Sequence, residues 1–436
     1  MNPQERKDAV NVALGESLWG LGLGLGAPLT VFPLLLTQLG AGPLELGVFT
    51  GLATAGLLLT QPLGILFFSH GGSHKRFLIT YHAWVSVPCF LAMAAVIQFL
   101  GARPGEEAVA RRLVIALYGL HVLAIGVIVS PWQDWVAGLF TTGSRGRAYG
   151  MWVAAWSLAL SAAALIAAKV RRDVGFPANY ALLVALSVAA YGLSLIQYSR
   201  VSPGPTPSEG RNRPPFKELL ALFGHSLREK NYRRYVIGRV LLTLGAGSSG
   251  FMAVHFQGAE GGSLSAPLVI GLGAFLTLPQ AAGGYLLGVI GDRSGHRRGV
   301  LLGATAQAAA IAIAFYGRGW LACALCFTCL GLATAEAMVS HQNMIFETCP
   351  HDRRLVHITL SSLLLGPFAA AVFPATGWVI ERAGGTGAGI GLCVVPTALG
   401  VLWLLLMVRD PREIVLGGEL AATRSEGSAR GPGGTP

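Results

Sequence analysis

The sequence predicts an all-α integral membrane protein of twelve spanning helices in two six-helix halves. Three observations predict it: an apolar composition poor in charge, twelve long apolar runs, and basic residues gathered in the connections between them. Charged residues are 12% of the 436 positions, about half the roughly 25% of soluble domains. Mean hydropathy is +0.57. A soluble fold needs polar outer faces on its helices, and long stretches here have none. A bilayer core about 30 Å thick takes about 20 apolar residues per helix. A spanning sheet must close into a barrel whose strands alternate apolar and polar residues. These runs are instead continuous and rich in Leu, Ala, Gly and Val.

The first six spans are read at 10–38, 44–69, 76–100, 112–141, 147–169 and 177–199. The second six are read at 232–257, 265–290, 299–317, 319–348, 354–382 and 387–408. The stretch 200–231 is polar and rich in Pro, Arg and Lys, and it divides the spans six and six. The predicted organisation is an N-terminal bundle (1–199), a cytoplasmic central loop (200–231), a C-terminal bundle (232–408) and a tail (409–436). The tail is rich in Gly, Ser, Thr and Pro and reads as disordered.

The net charge of +11 would point to nucleic acid in a soluble protein. Here the basic residues flank apolar runs, so membrane topology explains them better and no nucleic-acid partner is expected. With both termini in the cytoplasm, 23 Lys and Arg fall inside and 8 outside, and Arg239 lies within a span. That bias predicts cytoplasmic termini in a multi-pass protein of the cell inner membrane. No small-residue cleavage site follows the first apolar run, which is read as a retained helix.

Five of the six cysteines lie in apolar runs. Cys323, Cys326 and Cys329 have the C-x-x-C-x-x-C spacing of a metal or cluster site. Thiolate ligands in lipid need nearby charge, which this run lacks, so the three are read as small buried helix residues. No metal and no cofactor are expected. No phosphate-binding GxxxxGK[ST], no HExxH and no GxSxG is present, so the sequence carries no sign of ATP-driven or soluble-enzyme chemistry.

The halves are weakly similar to each other. An offset of 209 superposes Gln133 on Gln342 and Arg145 on Arg354. An offset of 223 superposes Gly15-Glu16 on Gly238-Arg239. Parallel repeats of this kind occur in secondary transporters.

The most specific segment joins the eighth and ninth spans: Gly288-Val-Ile-Gly-Asp292-Arg293-Ser-Gly295-His-Arg297-Arg298. It resembles the G-x-x-x-D-R-x-G-x-R-R loop of the major facilitator superfamily. Gly288 suits close helix approach, Gly295 a turn with positive φ, and Asp292 a helix cap or ion pair. Arg297 and Arg298 are placed at lipid headgroups. The matching first-half loop is degenerate, with His70 where Asp292 would align. A second cluster, Glu347-Thr-Cys-Pro-His-Asp-Arg353-Arg354, is similar to the acidic, Pro and Arg cluster that follows the tenth span in that family. The resemblance implies two six-helix bundles rocking about a central site. It also implies a cytoplasmic gate in which Asp292, Arg293, Glu347 and Arg353 pair when closed. Arg145 and Asp134 are the first-half gate candidates. The fifth span lacks the Gly-Pro pair of family antiporters.

A charge at the centre of a spanning helix costs about 2.5–3.5 kcal/mol on insertion scales. Glu16, Asp134, Arg239 and Glu336 sit inside apolar runs and are candidates on that ground. Glu336, Ser340, Asn343 and Glu347 fall at i, i+4, i+7 and i+11, one polar stripe on the tenth span. Glu16 and Arg239, equivalent in the two halves and opposite in sign, are expected to face one central cavity. Gln342 and Asn343 are candidate hydrogen-bonding ligands. Gly20, Gly22, Gly24, Gly26, Pro28 and Pro33 are expected to bend the first helix.

The functional expectation is a monomeric secondary transporter of a small molecule, not an enzyme. The buried carboxylates point to protons as one driving species, and uniport is the other reading. The rival is a membrane sensor or binding protein that keeps the fold without transporting, which the degenerate first-half loop favours.

Overall fold

The computed structural model describes residues 1–68, 75–140, 142–203, 221, 223–224, 226–348 and 354–411. Within them the side chains at 65–68, 130, 133–134, 137, 142–147, 149–150, 292–294, 346–348 and 354–358 are not described. Every regular element among these residues is a helix. Eleven helical segments are long and apolar enough to cross a bilayer. The first span makes twelve. It is less apolar than the others because Glu5, Arg6, Lys7, Asp8 and Glu16 interrupt it, and it is broken into two helices.

The chain enters its first helix, Pro3–Leu25, through a capping box: the Asn2 side chain accepts from the Glu5 N–H and the Glu5 carboxylate from the Asn2 N–H, both at 2.8 Å. This start lies seven residues before the expected 10, since the charged first turns are helical outside the apolar run. The break in the span falls at Gly26–Thr30, before the helix Val31–Gln38. The earlier glycines do not break the helix. They seat neighbours: a Cβ at Gly20 would meet the Trp156 indole and one at Gly22 the Tyr191 ring. The seventh span breaks at the equivalent place, passing from Lys230–Gly245 through the 3₁₀ turn Ala246–Phe251 to Met252–Gln257. The tenth breaks between Gly319–Met338 and Ser340–Thr348.

The apolar core has three parts, and their placement defines the shape of the molecule. One cluster crosses both halves and includes Phe32, Phe49, Phe90 and Tyr180 from the first, with Phe256, Ile270, Phe327 and Ile390 from the second. All lie toward the ends of the spans remote from the chain termini, the far face. At the opposite, terminal face each half has its own cluster: Ala9, Ile128, Trp135 and Tyr198 in one, Tyr232, Tyr235, Met344 and Leu404 in the other. Among the described residues, the buried apolar clusters of the two halves merge toward the far face and stay separate at the terminal face, while the seam between the halves reaches as deep as Gln61 and Ser362.

Two helix pairs form the seam. The second span, Pro43–Phe68, runs against the eleventh, Arg354–Ala383, and the fifth, Thr142–Asp173, against the eighth, Ala266–Leu272 and Ala274–Ser294. Gly47 and Gly377 let backbones touch, since a Cβ at Gly47 would meet the Phe373 carbonyl and one at Gly377 the Pro43 carbonyl. Among the described residues, two side-chain hydrogen bonds cross the seam: Ser161 to Thr277 at 2.6 Å, and the Ser362 hydroxyl donating to the Gln61 side-chain carbonyl at 3.1 Å.

Candidate functional site

The polar residues sort into one cluster per half. In the N-terminal half, Ser194 of the sixth span donates to the Gly15 carbonyl at 2.7 Å, holding the sixth span against the first. The missing side chain of Gly15 makes room for the Tyr198 ring. The next residue, Glu16, is buried and accepts a hydrogen bond from the Trp132 indole N–H at 3.3 Å. It opens onto a cavity of about 180 Å³ lined by Trp19, His82, Trp132, Trp152, Tyr198 and several aliphatic residues. The aromatic walls stand edge to face: Trp132 lies 4.3 Å from Tyr198 at 88°, and Trp19 lies 5.0 Å from His82 at 85°. His82 Nδ1 pairs with the Leu78 carbonyl at 2.9 Å, which fixes the ring. His82 is seven residues into the third span, Lys75–Leu100, so the cavity lies roughly 10 Å from the terminal face at 1.5 Å per residue.

In the C-terminal half, the Arg239 guanidinium donates to the Glu336 carboxylate at 2.7 Å. Both are buried, with side chains 12% and 3% exposed. The carboxylate reaches this place because Gly303 of the ninth span has no side chain: a Cβ there would overlap Glu336 Cβ and Cγ. One turn below, Tyr235 and His341 share a hydrogen bond of 2.6 Å. Glu336 Oε1 and Arg239 Nε have no hydrogen-bond partner, so the pair keeps unspent capacity.

Several expectations meet this geometry differently. Glu16 and Arg239 do not face each other: Arg239 turns to Glu336, and Glu16 faces a cavity within its own half. The predicted stripe on the tenth span is interrupted at Val339, so Glu336 and the Ser340–Thr348 helix are separate pieces. Asn343 donates to the Val339 carbonyl at 2.9 Å and thereby caps that break, and Gln342 is half-buried beside it. Gly288 makes no close approach, since a Cβ there would meet open space. Gly295 does take a positive φ of 84°. Arg297 is held by protein groups: its Nε and Nη2 donate to the Val408 and Leu405 carbonyls at 2.7 Å, capping the twelfth span. Arg298 is exposed. The side chains of Asp134, Arg145, Asp292, Arg293 and Glu347, with Arg353, lie outside the described residues.

Sequence reasoning missed Gly303, Tyr235 and the wall formed by His82 and Tyr198. A glycine opposite a buried carboxylate leaves no mark in the sequence without its partner helix. Tyr198 could have been found, because it ends an apolar run near the terminal face.

The sequence matches no protein-family model and no curated protein. Solved structures do match its fold. A mutant of the nucleoside transporter NupG superposes with a TM-score of 0.67 at 12% identity, over 92% of this chain and 98% of that one. A bacterial homologue of the human lysosomal transporter Spinster, inward-facing and occupied, gives 0.64 at 12%, over 94% and 98%. A POT family transporter in complex with a thioalcohol-conjugated peptide gives 0.67 at 10%, over 91% and 95%. The chain has the major facilitator fold. Within that fold the spans broken near the far face, the first and the seventh, also carry Glu16 and Arg239, and Glu336 lies on the tenth. The polar residues of the two halves thus sit at like positions of a repeated scaffold.

Proposed function

We propose that this protein is a secondary transporter that carries a small molecule across the cytoplasmic membrane by alternating access, with both termini in the cytoplasm. The observation that carries the reading is the divided core. A scaffold that is one body at its far face and two at its terminal face is closed at one end and free to part at the other, as alternating access requires. Buried polar residues in each half, in an otherwise apolar bundle, supply sites for cargo and for a driving ion. The similar structures carry transporter names that differ in cargo, so they support transport and leave the cargo open.

In this reading Glu16 and its cavity serve the N-terminal half. Glu336, with Arg239, serves the C-terminal half as the proton-handling group. A proton on Glu336 cancels the attraction that holds Arg239 and frees the guanidinium to move. Gln342 and Asn343 lie just past the break in the tenth span, and the 288–298 segment forms the inside gate.

The test is flux in proteoliposomes of the purified full chain, with and without an imposed pH gradient. Saturable uptake that the gradient accelerates supports the reading, and Glu336→Gln then removes the acceleration. Binding without flux would favour a sensor that keeps the fold.

A further inference from the structure

The cavity in the N-terminal half has a chemical preference that the transport reading leaves open. Glu16 is the starting point. It is 8% exposed, and no Lys or Arg forms an ion pair with it among the described residues. Glu336, the buried acid of the tenth span, has Arg239. A carboxylate in an apolar wall needs either a proton or a cation beside it. Its hydrogen-bonding neighbours, Tyr198, Trp152 and the Trp132 indole N–H at 3.3 Å, are all neutral groups and do not neutralise it.

The walls around Glu16 decide which cation. Trp19, Trp132, Trp152 and Tyr198, with His82, line the space. Trp132 meets Tyr198 at 88° and His82 at 69°, so the rings form a box and not a parallel stack. Ring faces attract a soft cation through their quadrupoles, most strongly when water is excluded. Inorganic cations need several oxygen ligands at fixed distances, and one carboxylate among indoles does not provide them. An anion meets the negative faces of the rings and Glu16 together. The volume of about 180 Å³ compares with the 150 Å³ or so of an apolar cavity that holds benzene. It suits a compact alkylammonium group.

We propose that this cavity binds a small organic ammonium ion, with Glu16 as its counter-ion and the surrounding Trp and Tyr rings as its cage. Treating that ion as cargo rests on the transport reading above; the binding preference does not.

The experiment titrates the purified full chain in detergent, following tryptophan fluorescence. The probes are ammonium ions from methylammonium through choline to tetraethylammonium, with the uncharged carbon isostere of choline as control. At least one ammonium ion binds saturably, and choline binds roughly tenfold or more tightly than its isostere, a ratio that the charge alone supplies. Glu16→Gln removes that preference, leaving the two ligands within about twofold of each other. Trp132→Leu weakens the ammonium ion while Glu16 remains. If Glu16→Gln fails to fold, Trp132→Leu and Trp152→Leu read the cage instead, and unchanged affinity in both overturns the proposal. An isostere that equals choline, or no saturable binding by any ammonium ion in the series, also overturns it. Flux separates the two readings: ammonium binding without transport sinks the transporter and leaves the cage, whereas pH-driven flux of another solute with no ammonium binding does the reverse.

Discussion

At the scale of single residues, the Arg239–Glu336 pair makes the sharpest prediction. Each partner compensates the other in a site that is nearly dry, so removing one leaves an unpaired buried charge. Glu336→Gln and Arg239→Met should each lower stability by about 3–5 kcal/mol, and the double variant by less than the sum. Melting of the four proteins in one detergent measures the cycle, and additive losses would deny the pairing. Gly303→Ala probes the same pair from the ninth span. Its methyl would overlap Glu336, so overpacking costs about 1–3 kcal/mol and pushes the carboxylate off Arg239. In a background with Glu336→Gly, which removes the Cβ as well as the carboxylate, that penalty should largely vanish, and its persistence would place the clash elsewhere. These charges were legible in the sequence because lipid makes them costly. Their partners were not. Internal symmetry set Glu16 over Arg239, yet position on equivalent helices says nothing about which way a side chain turns, and the space that drew Glu336 toward Arg239 comes from a glycine on a third helix.

At the scale of elements, the spans are held at their ends by contacts that polar loop residues supply. The 295 turn shows this at the terminal face. Gly295 has φ 84° and ψ 148°, a region closed to residues with a side chain, and a Cβ there would overlap the Asp410 carboxylate. Gly295→Ala should therefore cost about 1–3 kcal/mol and disturb the Arg297 cap of the twelfth span. Loss of thermal stability measures it, and a neutral effect would contradict the tight packing of 295 on 410. At the far face Glu260 accepts from the Thr386 hydroxyl at 2.6 Å and the Gly387 N–H at 2.8 Å. These two hydrogen bonds, the hydroxyl first, hold its carboxyl below the ordinary carboxylate range. Because the folded value is depressed, the contact is complete above the ordinary range and is lost as pH falls through the depressed value. Glu260 is 48% exposed, so solvent screening limits the contribution to less than about 1 kcal/mol. The melting temperatures of wild type and Glu260→Gln should differ slightly at neutral pH and converge on acidification; a gap that widens in acid would refute the sign. The turn at Gly295 was readable from its motif, since only glycine takes that φ freely. The Arg297 cap was not, because its acceptors lie more than a hundred residues away at the end of another span.

At the scale of the whole molecule, the twelve spans were the most legible feature, since the bilayer imposes length and hydrophobicity on every one. The seam between halves was hidden. It is made of glycines, a Ser–Thr contact and backbone carbonyls, and such residues occur throughout membrane helices whether or not they touch another half. That seam is where alternating access can be tested directly. If the far face closes the transport path in this conformation and must open for cargo to leave, tying the second span to the eleventh there should stop transport without blocking the site. A Cβ at Gly42 would lie 3.9 Å from Glu381 Oε2, which makes Gly42→Cys with Glu381→Cys a suitable pair for a short cleavable cross-linker, in a chain whose native cysteines are replaced. The cross-linked protein should bind ligand from the terminal face with unchanged affinity and show no flux. Reductive cleavage of the linker should restore flux in the same vesicles, which separates a lock from damage. Undiminished flux through fully cross-linked protein would mean that the two bundles do not part at this end, and rocking about the central site would have to be given up.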